Sequence, residues 1–370
     1  MKVLVTGGCG FIGSHLVDEL VKEGHKVRVY DLLEEQVHQG KKPAYLNKEA
    51  EYIFADIRDK DKLKKSLKNI EIVFHQASQV GVGQSMYEIE KYVSHNCLGT
   101  AVLLDLLINT NHKVQKLIVA SSMSIYGEGA YNCKKCSRVF PSLRKEIQLK
   151  KRKWEMYCPE CGFKVQPIPT SEDKPLFPTS VYATTKRTQE EMCLQIARAY
   201  KIPMVALRYF NVYGPRQSLS NPYTGVIAIF LSRVKNNRSP LIFEDGLQSR
   251  DFIYVSDIVK ANILAMENKT VDYDFFNVGT GQSKTIFEVA NTIINLCNKK
   301  LSPKIVNKFR HGDIRHCYAD ITKIKKKLGF VPEVSFEEGI KKLLHWSGKK
   351  EAKDLTYKAQ RELEKRKLTL

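Results

Sequence analysis

Long apolar runs are missing from this sequence. Its 370 residues include no apolar stretch of about 18 residues, and a membrane-spanning helix needs about 20. A signal-peptide pattern is also missing, because Lys2 leads through Val3-Leu4-Val5 directly into glycines. Internal repeats and low-complexity segments are absent as well. We therefore expect a soluble, cytoplasmic protein that has no membrane partner.

Acidic residues are fewer than basic ones. The chain has 60 lysine and arginine residues against 40 aspartate and glutamate residues, a formal net charge of +20. Residues 134–153 and the stretch 341–367 are especially basic. Such a surface attracts nucleic acid, an anionic membrane or an anionic small molecule, although charge runs usually mark only a solvated face. The charge alone therefore selects no partner.

Stacking aromatic residues are scarce in the first basic segment, where residues 134–154 contain only Phe140 and Trp154. Proteins that bind single-stranded nucleic acid combine positive charge with aromatic side chains on which the bases stack. A non-catalytic RNA-binding protein is therefore a remote alternative, and nucleic acid is not expected as a partner.

Nine cysteines are present, and four of them form two Cys-x-x-Cys pairs, Cys133 with Cys136 and Cys158 with Cys161. A cytoplasmic chain keeps its thiols reduced, so the pairs favour a metal over disulfides. The 21 residues between the pairs are compatible with a zinc ribbon, in which four thiolates bind zinc tetrahedrally. With four protein ligands no position is open for substrate, so we expect structural zinc; unpaired thiols or disulfides are the alternative.

Short apolar runs alternate with helical patterns over the first 127 residues. The predicted strands cover 2–6, 26–30, 52–55, 72–75 and 116–120, with helices over 11–22 and 92–108. This alternation argues for a parallel sheet with helices on both faces. Residues 128–174 interrupt the rhythm and indicate an insertion, after which a helix over 181–200 and a strand over 204–209 resume it.

A glycine-rich turn follows the first strand. Gly7, Gly10 and Gly13 are spaced by three, and a helix begins at Phe11. Glycine lets the backbone bend sharply and approach a diphosphate, to which the helix N-terminus offers free N–H groups. Asp31 ends the next strand, where a carboxylate accepts hydrogen bonds from the adenosine ribose and repels a 2′-phosphate. The pattern predicts a site for NAD rather than NADP, with an ordinary tight turn as the alternative.

We therefore expect an α/β fold: a Rossmann doubly wound parallel sheet with a smaller C-terminal substrate lobe and an inserted zinc ribbon. The NAD-binding domain is expected in residues 1–127 and 175–211, and the ribbon in 128–174. Residues 212–348 would form mainly the substrate lobe, with 248–265 returning to the Rossmann core. The tail 349–370 is polar and helix-prone, a composition that also suits partial disorder.

Tyr182 and Lys186 are four residues apart in the predicted helix 181–200, and side chains at this spacing share one helix face. A free phenol has a pKa of about 10, but a nearby ammonium and a cationic nicotinamide ring favour the phenolate. Tyr182 is therefore a candidate base, and Ser122 can hydrogen-bond the reacting hydroxyl. Taken alone, Tyr182 and Lys186 could be a pair on the surface of a helix. The NAD motif in the same chain favours the catalytic interpretation.

These motifs resemble, in their order, those of the extended short-chain dehydrogenase/reductase family, in its NAD-dependent sugar-nucleotide epimerase/dehydratase branch. The matching segments are 7–13, 121–127, 182–186, 207–216, 245–255, 277–279 and 310–313. The resemblance covers about residues 1–345 apart from the insertion.

The resemblance implies roles for further residues. Besides Gly7, Gly10, Gly13 and Asp31, it assigns to the cofactor Phe11, Ile12, Asp56, Ile57, Ala77, Ser78, Tyr182 and Lys186. It assigns to the substrate Ser122, Asn211, Arg250 and Arg310, and guanidinium groups suit a diphosphate because they donate two parallel hydrogen bonds. Asn96 matches a position near the active site, and a helix cap or a buried polar bridge is the alternative there.

The type of reaction that the resemblance implies depends on the residue at position 124. Dehydratases and decarboxylases of this branch typically carry an acidic residue where this chain has Ser124, preceded by Met123. Without a carboxylic acid to drive loss of water, the resemblance favours a 4-epimerase. Tyr182 would take the proton of the 4-hydroxyl while C4 gives a hydride to NAD, and the hydride would return to the other face of a transient 4-keto sugar.

The family resemblance is less specific about the substrate and the oligomeric state than about the cofactor. Residues 122–129, 131, 133 and 219–225 are similar to a cysteine-containing subgroup associated with dTDP-L-rhamnose 4-epimerase. UDP-glucose and UDP-glucuronate 4-epimerases are alternatives, as is a sugar-nucleotide reductase or dehydratase. The family also implies a homodimer in which helices 92–108 and 181–200 form a four-helix bundle. Because the cysteine insertion begins just after Ser122 and ends just before Tyr182, we expect it beside the pocket mouth, as a basic lid over the diphosphate.

Overall fold

The computed structural model describes residues 1–348, 350 and 352–369. Its strands are β1 (Lys2–Thr6), β2 (Lys26–Asp31), β3 (Glu51–Phe54), β4 (Ile72–His75), β5 (Lys116–Ser122), β6 (Ala130–Cys133), β7 (Ser137–Val139), β8 (Gln166–Ile168), β9 (Met204–Tyr209), β10 (Asn211–Tyr213), β11 (Leu241–Ile242), β12 (Ser249–Arg250), β13 (Phe252–Tyr254), β14 (Asp274–Val278), β15 (Lys284–Thr285), β16 (Lys304–Ile305) and β17 (His316–Cys317). Its α-helices are α1 (Phe11–Lys22), α2 (Glu35–His38), α3 (Lys60–Ser66), α4 (Val82–Ser85), α5 (Ile89–Tyr92), α6 (Gly99–Asn109), α7 (Glu146–Lys150), α8 (Val181–Tyr200), α9 (Val226–Lys235), α10 (Val255–Glu267), α11 (Ile286–Leu296), α12 (Thr322–Leu328), α13 (Phe336–Ser347) and α14 (Thr356–Lys365).

Seven strands form one parallel sheet in the order β14–β9–β5–β4–β1–β2–β3. β1 lies between β2 and β4, so the order of the strands reverses there. In open α/β sheets, ligands bind beyond the carboxyl ends of the strands at this reversal. The turn at Gly7 follows β1 directly. The predicted α/β fold with a parallel Rossmann sheet is confirmed.

The two faces of the sheet are covered by different helices. Val3 and Val5 of β1 pack into one apolar cluster with α1 and α10, whereas Leu4 packs into a second with α3, α6 and α8. Successive side chains of a strand point to opposite faces, so a strand buried on both faces is apolar throughout. This explains why β1 lacks an alternation of apolar and polar residues.

The helix predicted over 92–108 is interrupted. A wide, π-helical turn over Val93–Leu98 separates α5 from α6. Within it, the buried Asn96 accepts from the backbone N–H of Gln79 at 2.7 Å and donates to the Gln79 carbonyl at 3.1 Å and to the Thr185 hydroxyl at 2.9 Å. Such turns often occur at functional sites. Asn96 is a buried polar bridge, which joins the loop after β4 to α8.

A third apolar cluster lies beyond the sheet and is built mainly from α9, α11, α13 and the strand β13. The helix α10 follows β13 but packs against α1 of the main sheet. Within residues 248–265, α10 packs on the Rossmann core, whereas β12 and β13 pair with strands outside the seven-stranded sheet. The expected return of the whole range stays a prediction. The exact domain limits stay a prediction.

The insertion 128–174 has a small core of its own. β6 pairs antiparallel with β7 and β8, and Tyr131, Val139, Met156 and Val165 pack with the paired cysteines. Gly129 and Thr170 attach the insertion to the segment around Cys317, where a Cβ on Gly129 would lie 2.7 Å from the His316 carbonyl oxygen.

The described part of the tail is helical, with Ala359 and Leu363 of α14 buried. Across the described residues, no helix is long and apolar enough to span a membrane.

Candidate active site

A cavity of about 670 Å³ opens at the carboxyl ends of the sheet strands. It brings together most residues predicted to bind cofactor and substrate. Those that line it are Gly7, Gly10, Phe11, Ile12, Gly13, Asp31, Ile57, Ala77, Ser78, Ser122, Tyr182, Lys186, Asn211, Arg250 and Arg310.

The glycine turn requires glycine for steric reasons. Gly7 has a φ of +70° and donates its N–H to the Tyr30 carbonyl. A Cβ on Gly13 would lie 2.2 Å from the Gly7 carbonyl oxygen, so no other residue fits without moving the turn. The first turn of α1 therefore packs directly on the end of β1, and its N–H groups face the cavity where a diphosphate would be held.

Asp31 is positioned by the backbone on either side of it. Its carboxylate accepts from the N–H of Cys9 at 2.9 Å and of Leu33 at 2.8 Å. Burial raises the pKa of Asp31, and the two N–H groups act in the opposite direction. Each carboxylate oxygen keeps a further lone pair for a ribose hydroxyl, so the residues present fit the adenosine half of NAD.

Asp56 is the exception among the predicted cofactor residues. It does not line the cavity, and its carboxylate is paired with Arg58 at 2.6 Å. The hydrogen bonds from Arg58 lower the pKa of Asp56. Its contact with adenine therefore stays a prediction.

Tyr182 lies in the first turn of α8. The side chain of Ser180 caps this helix and accepts from the N–H of Ala183 at 3.1 Å. Burial raises the pKa of Tyr182, opposite to the effect expected from its sequence neighbours, whereas its interaction with Ser122 lowers it. The partial positive charge at the helix N-terminus also favours the phenolate. The phenolate therefore needs this field and the cationic groups that the site supplies.

Lys186 is buried beneath the tyrosine on the same helix. Its Nζ donates to the Ala120 carbonyl at 2.6 Å, and the residue is 4% exposed. Burial lowers the pKa of Lys186 to about 8. No carboxylate is paired with it in the described chain. Lys186 is thus held in a buried site on the same helix as Tyr182, and a positive charge there acts in a medium of low dielectric constant.

Ser124 occupies the position where a dehydratase carries an acid. Its hydroxyl donates to the Ser122 Oγ at 2.9 Å. Among the described residues, the carboxyl groups lining the cavity belong to Asp31, Glu34 and Asp313, and none of these is next to Ser122 in sequence. The structure therefore offers Ser122 a hydroxyl partner in place of an acid.

The substrate end of the cavity carries the two predicted arginines. Arg250 donates to the backbone carbonyls of Arg315 at 3.0 Å and Ile314 at 2.6 Å. Arg310 donates through Nε to Asp313 at 2.7 Å, with its guanidinium 4.6 Å from the Phe243 ring centroid. Within the described chain, the terminal nitrogens of Arg310 have no protein acceptor and remain available to an anion.

Three of the residues that line this cavity carry buried amide oxygens. Those of Asn211, Gln217 and Gln248 have no hydrogen-bond partner among the described residues. Buried polar atoms are almost always paired, so these three residues are candidates for contact with a ligand. Gln217 and Gln248 were not predicted from the sequence as substrate-binding residues, although Gln248 lies inside the matched segment 245–255.

The cysteine insertion does not cover this cavity. None of the residues 128–174, all of which the structure describes, lines it. Instead Arg144 binds both carboxylate oxygens of Glu244 at 2.8 Å and the Asp313 carbonyl at 3.1 Å. The predicted lid over the diphosphate is therefore wrong, because the insertion packs on Glu244 and Asp313 and contributes no residue to the cavity lining.

The paired cysteines form a compact cluster. The sulfurs of Cys133, Cys136, Cys158 and Cys161 all lie within 4.8 Å of one another, and none forms a disulfide. Four thiolates tetrahedrally around zinc, with Zn–S of about 2.3 Å, would be about 3.8 Å apart. The donor set and its spacing fit a closed metal site away from the cavity.

The fold and the cavity thus define a Rossmann-type enzyme with a Tyr-x-x-x-Lys helix. The model of the NAD dependent epimerase/dehydratase family matches residues 3–279. The chain belongs to this family, so the expected resemblance is confirmed, and it is an enzyme rather than a non-catalytic RNA-binding protein.

Several of its relatives are named sugar-nucleotide epimerases, and one, 32% identical over 358 residues, is UDP-N-acetyl-alpha-D-glucosaminuronate decarboxylase of Bacillus cytotoxicus. The chain is 33% identical over 348 residues to dTDP-L-rhamnose 4-epimerase of Burkholderia thailandensis, covering 93% of this chain and 94% of the relative. It resembles the crystal structure of UDP-glucose 4-epimerase from Thermotoga maritima with UDP-glucose, at a TM-score of 0.77 and 34% identity, over 94% and 99% of the two chains. It also resembles UDP-glucuronic acid 4-epimerase from Bacillus cereus in complex with UDP-glucuronic acid and NAD, at a TM-score of 0.75 and 28% identity, over 94% and 98%.

Proposed function

We propose that this protein is an NAD-dependent 4-epimerase of nucleoside diphosphate sugars. One observation carries the proposal. The cavity that holds Ser122, Tyr182 and Lys186 also holds Arg250 and Arg310, and it offers no acid next to Ser122. Such a site can oxidise and reduce a sugar hydroxyl while holding a diphosphate, but it lacks the acid for loss of water.

The chain's own residues handle the proton and the orientation of the sugar. When bound, NAD accepts a hydride from C4 and returns it. Tyr182 removes the proton of the 4-hydroxyl and later returns it to the same oxygen, since base and acid roles alternate in one turnover. Lys186 and the N-terminus of α8 stabilise the phenolate, while Ser122 hydrogen-bonds the sugar oxygen.

The two arginines and the unpaired amides would hold the nucleotide while the sugar turns over. Arg250 is fixed by backbone carbonyls and Arg310 by Asp313, so both guanidinium groups are preorganised for a diphosphate. Met123 and Phe210 pack together and line the cavity, so apolar side chains would face part of the reacting sugar. Firm binding of the nucleotide and loose binding of the sugar suit an epimerase.

We propose dTDP-L-rhamnose as the first substrate to test. The apolar side chains of Met123 and Phe210 suit the methyl group of a 6-deoxy sugar. The similarity to dTDP-L-rhamnose 4-epimerase over most of both chains also supports it. UDP-glucose and UDP-glucuronate are the competing candidates.

The test is a panel of these three sugar nucleotides incubated with the holoenzyme in deuterated water. We expect C4 epimers without deuterium at C4, because the hydride is returned directly. Loss of water from the sugar would reveal a dehydratase, and stoichiometric consumption of added NADH with net reduction of the sugar would reveal a reductase. Failure to convert any of the three would contradict the proposed substrates.

We also propose that the four clustered cysteines bind one structural zinc ion. Purified protein should contain one equivalent of zinc by elemental analysis, and Cys158→Ser should lose it with a lower melting temperature. Cys193→Ser is the matched control, since Cys193 is buried in the main core and outside the cluster. Equal zinc contents in both variants would contradict the proposal.

A homodimer through α5, α6 and α8 is the proposed assembly. Ile89, Val93 and Leu98 are exposed apolar side chains on this side of the molecule, at 53%, 44% and 52%. We expect Leu98→Glu to give monomers in sedimentation velocity. Ile147→Glu changes an equally exposed side chain, at 65%, on the insertion and should leave the dimer intact. A monomeric parent protein would contradict the assembly.

A further inference from the structure

The C-terminal segment 352–369, which contains α14, is firmly attached at its start. The Asp354 carboxylate accepts from Arg233 at 3.1 Å and from Arg238 at 3.0 Å, and its side chain is 2% exposed. Asn236 donates to the Ala352 carbonyl at 2.6 Å. These contacts place the beginning of the segment on α9, which belongs to the third apolar cluster.

From there the segment crosses to the loop that follows β4. A Cβ on Gly83 would lie 3.5 Å from the Leu363 side chain, an ordinary packing distance. The Arg366 guanidinium lies 4.3 Å from the Tyr87 ring centroid. Both partners come from the NAD-binding side of the cavity, so the segment bridges the two sides of the cleft.

The end of the segment lies against the residues around Arg310. Glu364 pairs with Lys308 at 2.7 Å. The backbone N–H of His311 donates to the Leu368 carbonyl at 3.0 Å, and Arg310 forms a β-bridge with Thr369. The backbone of the predicted diphosphate-binding residue is therefore paired with the C-terminal segment.

Side chains of this segment line the same cavity as the catalytic residues. They are Thr356, Ala359, Gln360, Leu363 and Leu368. The segment takes the place over the cavity that the sequence suggested for the cysteine insertion.

We propose that the segment 352–369 is the outer wall of the sugar-nucleotide site. We also propose that Gln360, which lines the cavity while its Nε2 donates to Glu364 at 3.0 Å, is a substrate-positioning residue. This inference rests on the proposed function. Because the wall contacts both sides of the cleft, lifting of the segment would widen the entry for a sugar nucleotide. Its docked position is then stabilised by the bound nucleotide, since ligands favour the state that they contact.

Hydrogen exchange tests the coupling on the full-length holoenzyme. UDP and dTDP are the probes, each added alone after calorimetry has measured its affinity. At about 100 times the dissociation constant, amides of 356–369 should exchange up to about 100-fold more slowly, because opening then requires release of the nucleotide. Unchanged or faster exchange with a bound nucleotide would contradict the proposal that segment 352–369 is the wall of the site.

Variants of α14 test the positioning role. Gln360→Ala should raise KM about 2- to 10-fold with kcat little changed, as expected for the loss of one hydrogen bond to bound substrate. Arg361→Ala, its exposed neighbour in the same helix, is the matched control and should keep the parent KM. Equal KM values for both variants would overturn the role of Gln360.

A chain ending at residue 351 separates the two proposals. It should retain NAD and convert sugar nucleotides with a raised KM, and an unchanged KM would overturn the wall. If the full-length holoenzyme neither binds UDP or dTDP nor converts any sugar nucleotide, the proposed function fails, and the wall fails with it.

Discussion

Replacing Lys186 by methionine should stabilise the NAD-free protein. The lysine is 4% exposed, and burial lowers its pKa from the ordinary 10.5 to about 8. A lowered lysine pKa means that the folded state disfavours the charge, which the unfolded chain carries freely. Methionine keeps the apolar stem and removes the charge, so the packing of α8 on the sheet is retained.

The magnitude follows from the two pKa values. Their difference, at about 1.36 kcal/mol per pKa unit, makes burial of the charge cost about 3 kcal/mol below pH 8. The cost declines as the pH rises from 8 towards 10.5, because the folded lysine is then already neutral, and it is about 2 kcal/mol at pH 9. Loss of the bond to the Ala120 carbonyl offsets about 1 kcal/mol at every pH.

The assay is guanidinium unfolding of NAD-free parent and Lys186→Met proteins at pH 7 and pH 9. We expect a gain of about 2 kcal/mol at pH 7 that is about 1 kcal/mol smaller at pH 9. Arg198→Met, an exposed change on the same helix, should show no such pH difference. A variant that is less stable than the parent at pH 7, or a gain that grows with pH, would refute the reasoning.

Three further changes test the site and its support. Tyr182→Phe should lower turnover by about 10²–10⁴ with NAD content unchanged, and near-parent turnover in a progress assay would rule out Tyr182 as the base. Glu244→Gln should destabilise the fold by about 3–5 kcal/mol in thermal unfolding, because Glu244 is 1% exposed and binds the buried Arg144 and Arg315; a loss below about 1 kcal/mol would contradict this. Asp31→Asn should reduce the preference for NAD over NADP about tenfold in fluorescence titrations, since the repulsion of a 2′-phosphate is lost; an unchanged ratio would place the selectivity elsewhere.

Most of the sheet and the cofactor loop could be predicted from the sequence. α1 and α8 begin and end where their patterns predicted, because an apolar stripe and a cap or glycine turn define both. Gly13 was identifiable because the contact that demands glycine lies only a few residues away along the chain. The break at Val93–Leu98 was not identifiable, since it depends on Asn96 binding the distant Gln79 and Thr185.

Local sequence thus determined which residues are candidates for the chemistry: the glycine turn, Asp31, Ser122, Tyr182 and Lys186 follow from short-range spacing and strand ends. The tertiary structure alone decided what surrounds them. It packed the insertion outside the cavity through Arg144 and brought the C-terminal segment across the cleft. It also showed that burial opposes both the phenolate of Tyr182 and the charge of Lys186. Burial and contacts between distant segments depend on the packing of the whole chain, and no local pattern encodes them.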